Sequence, residues 1–442
     1  MTSVPVALAP SPAASESPRN DAATVATVRA AVGLPVAARV AVAMSGGVDS
    51  SAVAGLLVEA GYAVFGLTAR LYDVDLDDAA TRRAGTCCAP EDARDARSVA
   101  QQLGIRHYVL DEREVFRRDV IDRFVGEWDA GDTPNPCVEC NRSLKFDRLV
   151  AQALVLGAEA LATGHYARLD RDDDGQPRLR RAADAAKDQS YFLYPLTGKA
   201  ASFLRFPLGN LTKPEVRAHA VRLGLPTADK AESMDICFTG AKGARAYVEQ
   251  AAGARPGAIV DVHGTTLGRH AGIAGFTVGQ RHGLGLPSGP AAGVSGKNGM
   301  ATVGSDDTAP RYVLDKRADG TVVVGGREAL RVRELGLDGC SWVGEVPAVG
   351  TIVGVQVRHR GKAVLARVER SGEGAIGQNT RANSDFTLVI AGEMLGAGRG
   401  QAAVVYADDR VLGGGRIARV EMAAMGGQVT ETGCVQPREA VA

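Results

Sequence analysis

The run Arg39-Val-Ala-Val-Ala-Met-Ser-Gly-Gly-Val-Asp-Ser-Ser51 constrains this chain more than any other stretch. An apolar, β-branched segment stops at Ser45-Gly46-Gly47, and a helix-forming segment follows to Ala60, closed by Gly61. The order is strand, tight glycine turn, helix N-terminus. Such a turn is an anion site. The glycines let the backbone approach a guest, the first N–H groups of the helix lack intrahelical partners, and the helix dipole adds positive potential. Phosphate is the guest this predicts. The Gly-Lys-Ser/Thr end of a Walker A loop is missing, and so is the G-x-G-x-x-G dinucleotide spacing. A bare Gly-Gly turn would read as structural; SGGVDS after a strand is far more specific.

The residues beyond the turn extend the same pattern. Val40–Ala43 and Ala63–Thr68 read as strands flanking a helix over 50–60, which is a βαβ unit. After a polar loop over 73–86, Glu91–Leu103 reads as a helix and Arg106–Leu110 as a strand. Val115, Phe116, Val120, Ile121, Phe124 and Val125 keep helical spacing to Trp128, where Pro134 and Pro136 forbid continuation. A helix over Ser143–Leu156 leads to the strand Ala158–Thr163. The expectation is a doubly wound α/β domain over 39–239, with Gly164-His165-Tyr166 just past a strand's carboxyl end, where such sheets bind ligands. Asp170–Gly175 reads as a hairpin turn, and Thr212-Lys-Pro-Glu215 as a capped helix start. From about Gly240 glycine rises and helical periodicity fades, which marks a small linking domain over 240–307. Strand-period alternation then predicts an antiparallel β-barrel over 308–430, with a tail over 431–442. Residues 1–38, rich in Ala, Pro and Ser, read as a disordered extension without a secretory signal.

Composition narrows the partners. Among 442 residues, 51 basic and 51 acidic side chains cancel, so any RNA contact must use local patches. No apolar run reaches membrane-spanning length. Seven cysteines in a chain this long do not form a disulfide scaffold; they predict the reducing cytoplasm and reactive or metal-binding thiols. Thr133-Pro-Asn-Pro-Cys137-Val-Glu-Cys140-Asn141 presents a C-x-x-C on a proline-pinned loop before a helix. There a thiol's pKa falls and thiolate is accessible. A zinc knuckle would need a second such pair, and none exists; Cys87-Cys88 are adjacent, Cys237 stands alone, and Cys340 and Cys434 read as packing residues.

SGGVDSS resembles the loop of the PP-loop ATP pyrophosphatases. With Thr133–Asn141, Thr163-Gly-His-Tyr-Ala167, Lys187-Asp-Gln-Ser-Tyr-Phe192, Asp235-Ile-Cys-Phe238 and Phe276–Arg281 in order, the chain from about Arg39 to Ala418 resembles the bacterial tRNA-specific 2-thiouridylases. The resemblance implies a PP-loop domain, a small central domain and a C-terminal β-barrel. It implies ATP, with Mg²⁺, held by Ala43, Met44, Ser45, Gly46, Gly47, Val48, Asp49 and Ser50, with Ala69 near adenine and Gly164 on the nucleotide. Asn135, Pro136 and Cys137 would border the target base. Lys187, Asp188, Gln189, Arg358 and His359 would contact tRNA. Cys237 would carry a persulfide and Cys140 would be the nucleophile, leaving a Cys140–Cys237 disulfide. Family members carry aspartate, a proposed acid/base, where this chain has Cys137. That substitution opens an alternative in which Cys137, Cys140 and Cys237 hold an iron–sulfur cluster; the relay is preferred, with no resident metal. A further alternative is an AMP-forming amide ligase, and another is an RNA-binding module without catalysis. The implied partners are tRNAs reading Lys, Glu and Gln codons, and a sulfur donor such as a cysteine desulfurase or relay protein. Read without the resemblance, Lys187–Asp188 could be an exposed ion pair, Arg358, Arg360 and Lys362 a solvated face, and His165 a packed strand-end residue.

Overall fold

The computed structural model describes residues 21–72, 90–232, 236–240, 243–286, 310–371 and 386–423. Strands β1 (Arg39–Ala43), β2 (Ala63–Arg70), β3 (Arg106–Asp111) and β4 (Ala160–Thr163) run parallel. A hairpin, β5 (Arg168–Arg171) and β6 (Pro177–Arg180), precedes the short β7 (Leu204–Arg205). The parallel sheet has the order β3-β2-β1-β4-β7. The α/β expectation therefore holds. Val40, Ala41 and Val42 are fully buried, as a central strand covered on both faces requires. The helix Val48–Glu59 packs beside them, burying every residue from Ser50 to Leu57. Chain direction through the sheet reverses around β1, with β2 and β3 on one side and β4 on the other. That reversal opens a crevice at the carboxyl ends of β1 and β4.

Of the expected disordered extension over 1–38, residues 21–38 are instead folded onto the first unit, and residues 1–20 lie outside the described residues. Asp21–Val32 is a helix, with Val28 and Val32 buried in the core of the parallel sheet. Arg29 Nε donates to Ala60 O at 3.0 Å, and Thr24 Oγ1 lies 3.3 Å from His219 Nε2. The Val25, Val28, Val32 spacing carried this signal, but the Ala/Pro/Ser composition of the whole segment masked it.

The second unit is a four-stranded sheet of β8 (Gly257–Val260), β9 (Thr266–His270), β10 (Tyr312–Lys316) and β11 (Val322–Gly325), in the order β10-β11-β8-β9. Its last two strands lie beyond 307, where the barrel was expected to begin. Local alternation is the same in both units, and only the non-local pairing of Val322 with Ile259 assigns β11 to the earlier one. The third unit comprises β12 (Val332–Trp342), β13 (Ile352–Gln356), β14 (Val364–Ser371), β15 (Phe386–Ile390), β16 (Ala402–Ala407) and β17 (Arg410–Met422). These run β12-β15-β14-β13-β16-β17 and close through β12–β17 into an antiparallel barrel, which removes free sheet edges. The first unit reaches into it: β6 pairs with β17 through Arg180–Arg410 and Leu179–Val411.

Candidate active site

The glycine turn is built by its own side chains. Ser50 Oγ accepts from Ser45 N at 3.1 Å and donates to Gly47 O at 3.2 Å, and Ser51 Oγ donates to Gly47 O at 2.9 Å. Gly47 caps the helix with no side-chain acceptor on the first N–H groups, so those donors remain for a ligand. The two glycines do different work. Gly46 has φ +70°, and a Cβ there would lie 2.1 Å from the carbonyl oxygen of Asp92. Gly47 has φ −89° and room for a methyl, the nearest atom being Ser45 Oγ at 3.6 Å.

A cavity of about 280 Å³ opens at this turn. Ala43, Met44, Ser45, Gly47, Val48, Asp49 and Ser50 line it, together with Ala69, Gly164 and Cys140. Of the residues expected to hold nucleotide, Gly46 alone is not among those lining the cavity. Gly164 packs so closely that a Cβ would stand 2.9 Å from Ser50 N. Asp49 is gripped from two sides: Lys213 Nζ reaches its oxygens at 2.7 and 2.8 Å, and the Tyr166 hydroxyl donates to Oδ1 at 2.8 Å. Burial, and then the Asp49 charge, push the Tyr166 phenol far above its ordinary pKa, so it stays a donor. Lys230 donates to Gly46 O at 3.0 Å and to Asp92 and Asp95, tying the turn to the helix Pro90–Gln102.

The cysteine loop differs from expectation in its helix. The helical segment starts at Pro136, not at Ser143, because Pro136 occupies the first turn and Asn135 Oδ1 accepts from Cys137 N at 3.2 Å. Helix, a π segment Cys140–Leu149, and helix then continue to Val155. Cys140 thereby sits one turn in, half-buried on the cavity wall, while Cys137 is exposed. Cys140 and Cys237 both pack against one aromatic cluster that includes Phe116, Phe124 and Phe238. The Tyr72 hydroxyl donates to Cys237 O at 2.9 Å. Among the described residues, no three His, Cys, Asp or Glu side chains are grouped to hold a metal ion, so Cys137, Cys140 and Cys237 form no such set. Asn135 and Pro136 line a second, much smaller cavity of about 20 Å³ with Tyr194, Gly400 and Arg416. Cys340 is half-buried against the barrel core. Cys87, Cys88, Cys434 and Asp235 lie outside the described residues.

Lys187 and Asp188 do not pair with each other. Lys187 lines the cavity and bonds Glu232 at 2.5 Å, while Asp188 accepts from Arg181 at 3.0 Å and from Ser190 Oγ at 2.9 Å. Gln189 also lines the cavity, its Oε1 accepting from Tyr166 N at 2.9 Å. His359 joins this segment from the barrel: Nε2 is 3.0 Å from Asp188 O, and its ring lies 4.4 Å from that of Phe192. Arg358 is exposed overall and donates to Val278 O at 3.1 Å, linking barrel and central sheet. The sequence reading passed over Lys145, Lys213, Lys230, Asp92 and Glu232, all of which line the cavity. Lys213 stands inside the capped helix start, where the local pattern marks only the cap. Nothing local marked the others, because their elements converge only in the fold.

Comparison with known proteins now adds to this geometry. Three family models match in succession: the tRNA methyl transferase HUP domain over 38–241, the tRNA methyl transferase PRC-barrel domain over 245–326, and the aminomethyltransferase beta-barrel domain over 332–417. The tRNA-specific 2-thiouridylase MnmA of Methylobacterium sp. (strain 4-46) is 47% identical over 88% of this chain and 96% of its own length. The chain belongs to the tRNA-specific 2-thiouridylase family. The 2-thiouridylase of Caulobacter vibrioides is 44% identical, covering 88% of this chain and 97% of its own. Among solved structures, the U34-tRNA thiolase NcsA from Methanococcus maripaludis is 20% identical over 46% of this chain and 63% of that one, with a TM-score of 0.30, too distant to carry an argument. Membership in the 2-thiouridylase family makes the chain a tRNA-modifying enzyme with a nucleotide-binding PP-loop domain. Among the described residues, no helix is long and apolar enough to cross a membrane.

Proposed function

We propose that this chain is an ATP-dependent tRNA sulfurtransferase that replaces the C2 oxygen of the wobble uridine with sulfur. The observation that carries the reading is one shared surface: the glycine turn and Cys140 line the same cavity. Phosphate chemistry and thiol chemistry can therefore act on one bound base.

The order of steps follows from leaving groups. Oxide is too poor a leaving group to be displaced from uracil C2. Adenylation of O2 converts it into AMP, which departs readily. The helix N-terminus at Gly47 is suited to the pyrophosphate end of ATP. Magnesium accompanying ATP is carried mainly by phosphate oxygens with one or two carboxylates, and Asp49 on the cavity wall would hold it. A persulfide on Cys237 then attacks C2 through its terminal sulfur, and AMP leaves with the electron pair. Cys140 thiolate attacks Cys237 Sγ, the S–S bond breaks toward the base, and 2-thiouridine is released. The resulting Cys140–Cys237 disulfide requires an external reductant. Packing of both cysteines against one aromatic cluster supports their meeting.

Asn135, Pro136 and Cys137 would border the base, and Lys187, Asp188, Gln189, Arg358 and His359 would form the tRNA-facing rim. The partners are tRNAs reading Lys, Glu and Gln codons, a cysteine desulfurase or relay protein, and the setting is the cytoplasm. The test is product analysis with α-labelled ATP and unmodified tRNA, together with mass analysis of the wobble nucleoside. AMP, pyrophosphate and 2-thiouridine are expected. ADP would refute the phosphate assignment, and a methylated base without ATP consumption would refute the whole reading.

A further inference from the structure

Four lysines line the cavity: Lys145, Lys187, Lys213 and Lys230. Three are neutralised at short range. Lys213 grips both oxygens of Asp49, Lys187 bonds Glu232, and Lys230 bonds Asp92 and Asp95 at 2.6 and 2.5 Å. Lys145 differs. Among the described residues it enters no ion pair; its Nζ instead lies 3.1 Å from Nε2 of His165.

The surroundings of His165 fix what that contact is. The residue is 8% exposed, its Nδ1 lies 2.7 Å from Thr163 Oγ1, and Phe206 meets its ring edge-on at 5.9 Å. Burial first, and the Lys145 charge second, hold the imidazole's pKa well below its ordinary value, so the ring is neutral. A neutral ring beside an ammonium accepts at Nε2 and therefore carries its proton on Nδ1, which donates to Thr163 Oγ1. Lys145 is thus steered by one N–H and keeps two for the cavity. A half-buried cation that lines a phosphate-binding crevice, held by a neutral acceptor and with no carboxylate partner among the described residues, fits an anion that arrives with the substrate.

Its place selects which anion. Lys145 follows Cys140 by five positions on the same helical segment, and both line the cavity together with the glycine turn. Cys140 marks where the base must lie, and the turn marks the pyrophosphate end. The phosphorus between them is the α-phosphorus.

We propose that Lys145 is a catalytic residue of adenylation that holds the α-phosphoryl oxygens, with His165 and Thr163 as its positioning residues. The inference rests on the ATP reading given above. In the step it serves, uracil O2 bonds to the α-phosphorus and the bond to the α–β bridging oxygen breaks. Pyrophosphate departs with that electron pair, and the N3 proton passes to solvent. Charge on the equatorial oxygens lies against Lys145 throughout.

The experiment measures tRNA-dependent pyrophosphate release by the full chain under single-turnover conditions, with ATP KM and melting temperature for each variant. Lys145→Met should lower the rate by about 10²- to 10³-fold, as for loss of one preorganised transition-state donor, while ATP KM changes by no more than a few fold. Lys145→Arg should recover part of the rate. His165→Ala should cost about tenfold, and His165→Gln, which retains an acceptor, should recover most of it. An unchanged rate in Lys145→Met, with wild type releasing pyrophosphate, overturns the inference alone. Full pyrophosphate release with loss of thiolation also overturns it, because the cation then serves the Cys140 thiol. Absence of pyrophosphate release in wild type overturns the ATP reading and the inference together.

Discussion

The adjacent glycines of the turn should fail in opposite ways when each becomes alanine. At Gly46 the backbone is left-handed, at φ +70°, which costs an L-residue roughly 1–2 kcal/mol. The added methyl would also stand 2.1 Å from Asp92 O and 2.7 Å from Asp92 C and Cα, all backbone atoms of the helix Pro90–Gln102. Nothing there is a flexible side-chain end, so the helix or the turn must shift, at about 1–3 kcal/mol for overpacking. Gly46→Ala should therefore lose about 2–5 kcal/mol of stability. For a unit of this size that lowers its melting temperature by roughly 2–4 °C per kcal/mol. Gly47→Ala carries neither penalty, since its φ is ordinary and its nearest new neighbour is 3.6 Å away. Its methyl would instead project from the cavity wall where phosphate must approach the helix N–H groups. That variant should melt with wild type and lose ATP binding. The assays are differential scanning calorimetry and ATP titration on both proteins. Equal melting temperatures for Gly46→Ala and wild type would refute the strain argument, and undiminished ATP affinity in Gly47→Ala would refute the cradle.

Three further outcomes are expected. Cys140→Ser and Cys237→Ser should each abolish thiolation, Cys137→Ser should slow it and Cys137→Asp should be well tolerated; stoichiometric iron in anaerobic preparations, lost together with activity in all three serine variants, would replace the relay by a cluster. Arg358→Ala should weaken tRNA binding and reduce the slope of log affinity against log salt by about one, read by filter binding; an unchanged slope would place the docking surface elsewhere. Burial holds the Lys316 ammonium down to about 8 from an ordinary 10.5. Between those values the unfolded chain keeps a proton that the folded chain has lost, so stability rises with pH across that window, and Lys316→Met should flatten the rise in urea titrations.

The candidate site was legible in the sequence where its residues are contiguous. SGGVDSS and the Thr133–Asn141 loop each encode a turn, a cap and reactive groups within a dozen positions; the structure brings Cys140 of that loop to the cavity of the glycine turn, while Asn135 and Pro136 line the smaller cavity. Lys145, Lys213, Lys230 and Glu232 escaped because a lysine or glutamate on a helix or loop reads as solvated surface until its distant partner is known. Asp49 and Lys213 are 164 positions apart, and no local pattern couples them. The same reason explains β10 and β11. Strand-period alternation names a strand, and only pairing names its sheet.

The units that follow the PP-loop domain do more than extend a docking surface, because they hold the cysteine loop in place. Thr133 N donates to Arg399 O at 2.7 Å, and Arg416 of β17 meets Asp132 Oδ2 at 3.2 Å. The central sheet adds Lys316, whose Nζ donates to Asp132 O at 3.0 Å and lies 5.3 Å from the Trp128 ring. Gly131 approaches Lys316 O so closely that a Cβ would stand 2.9 Å away. At the junction of all three units burial raises the Asp132 pKa, and the Arg399 and Arg416 charges oppose that rise. Removing one partner of such a cluster leaves the others buried and uncompensated, so the loop that presents Asn135, Cys137 and Cys140 is set by contacts spread over barrel and central sheet alike. The placement of the cysteine loop is therefore a property of all three units, and the PP-loop domain by itself would present its thiols without that frame.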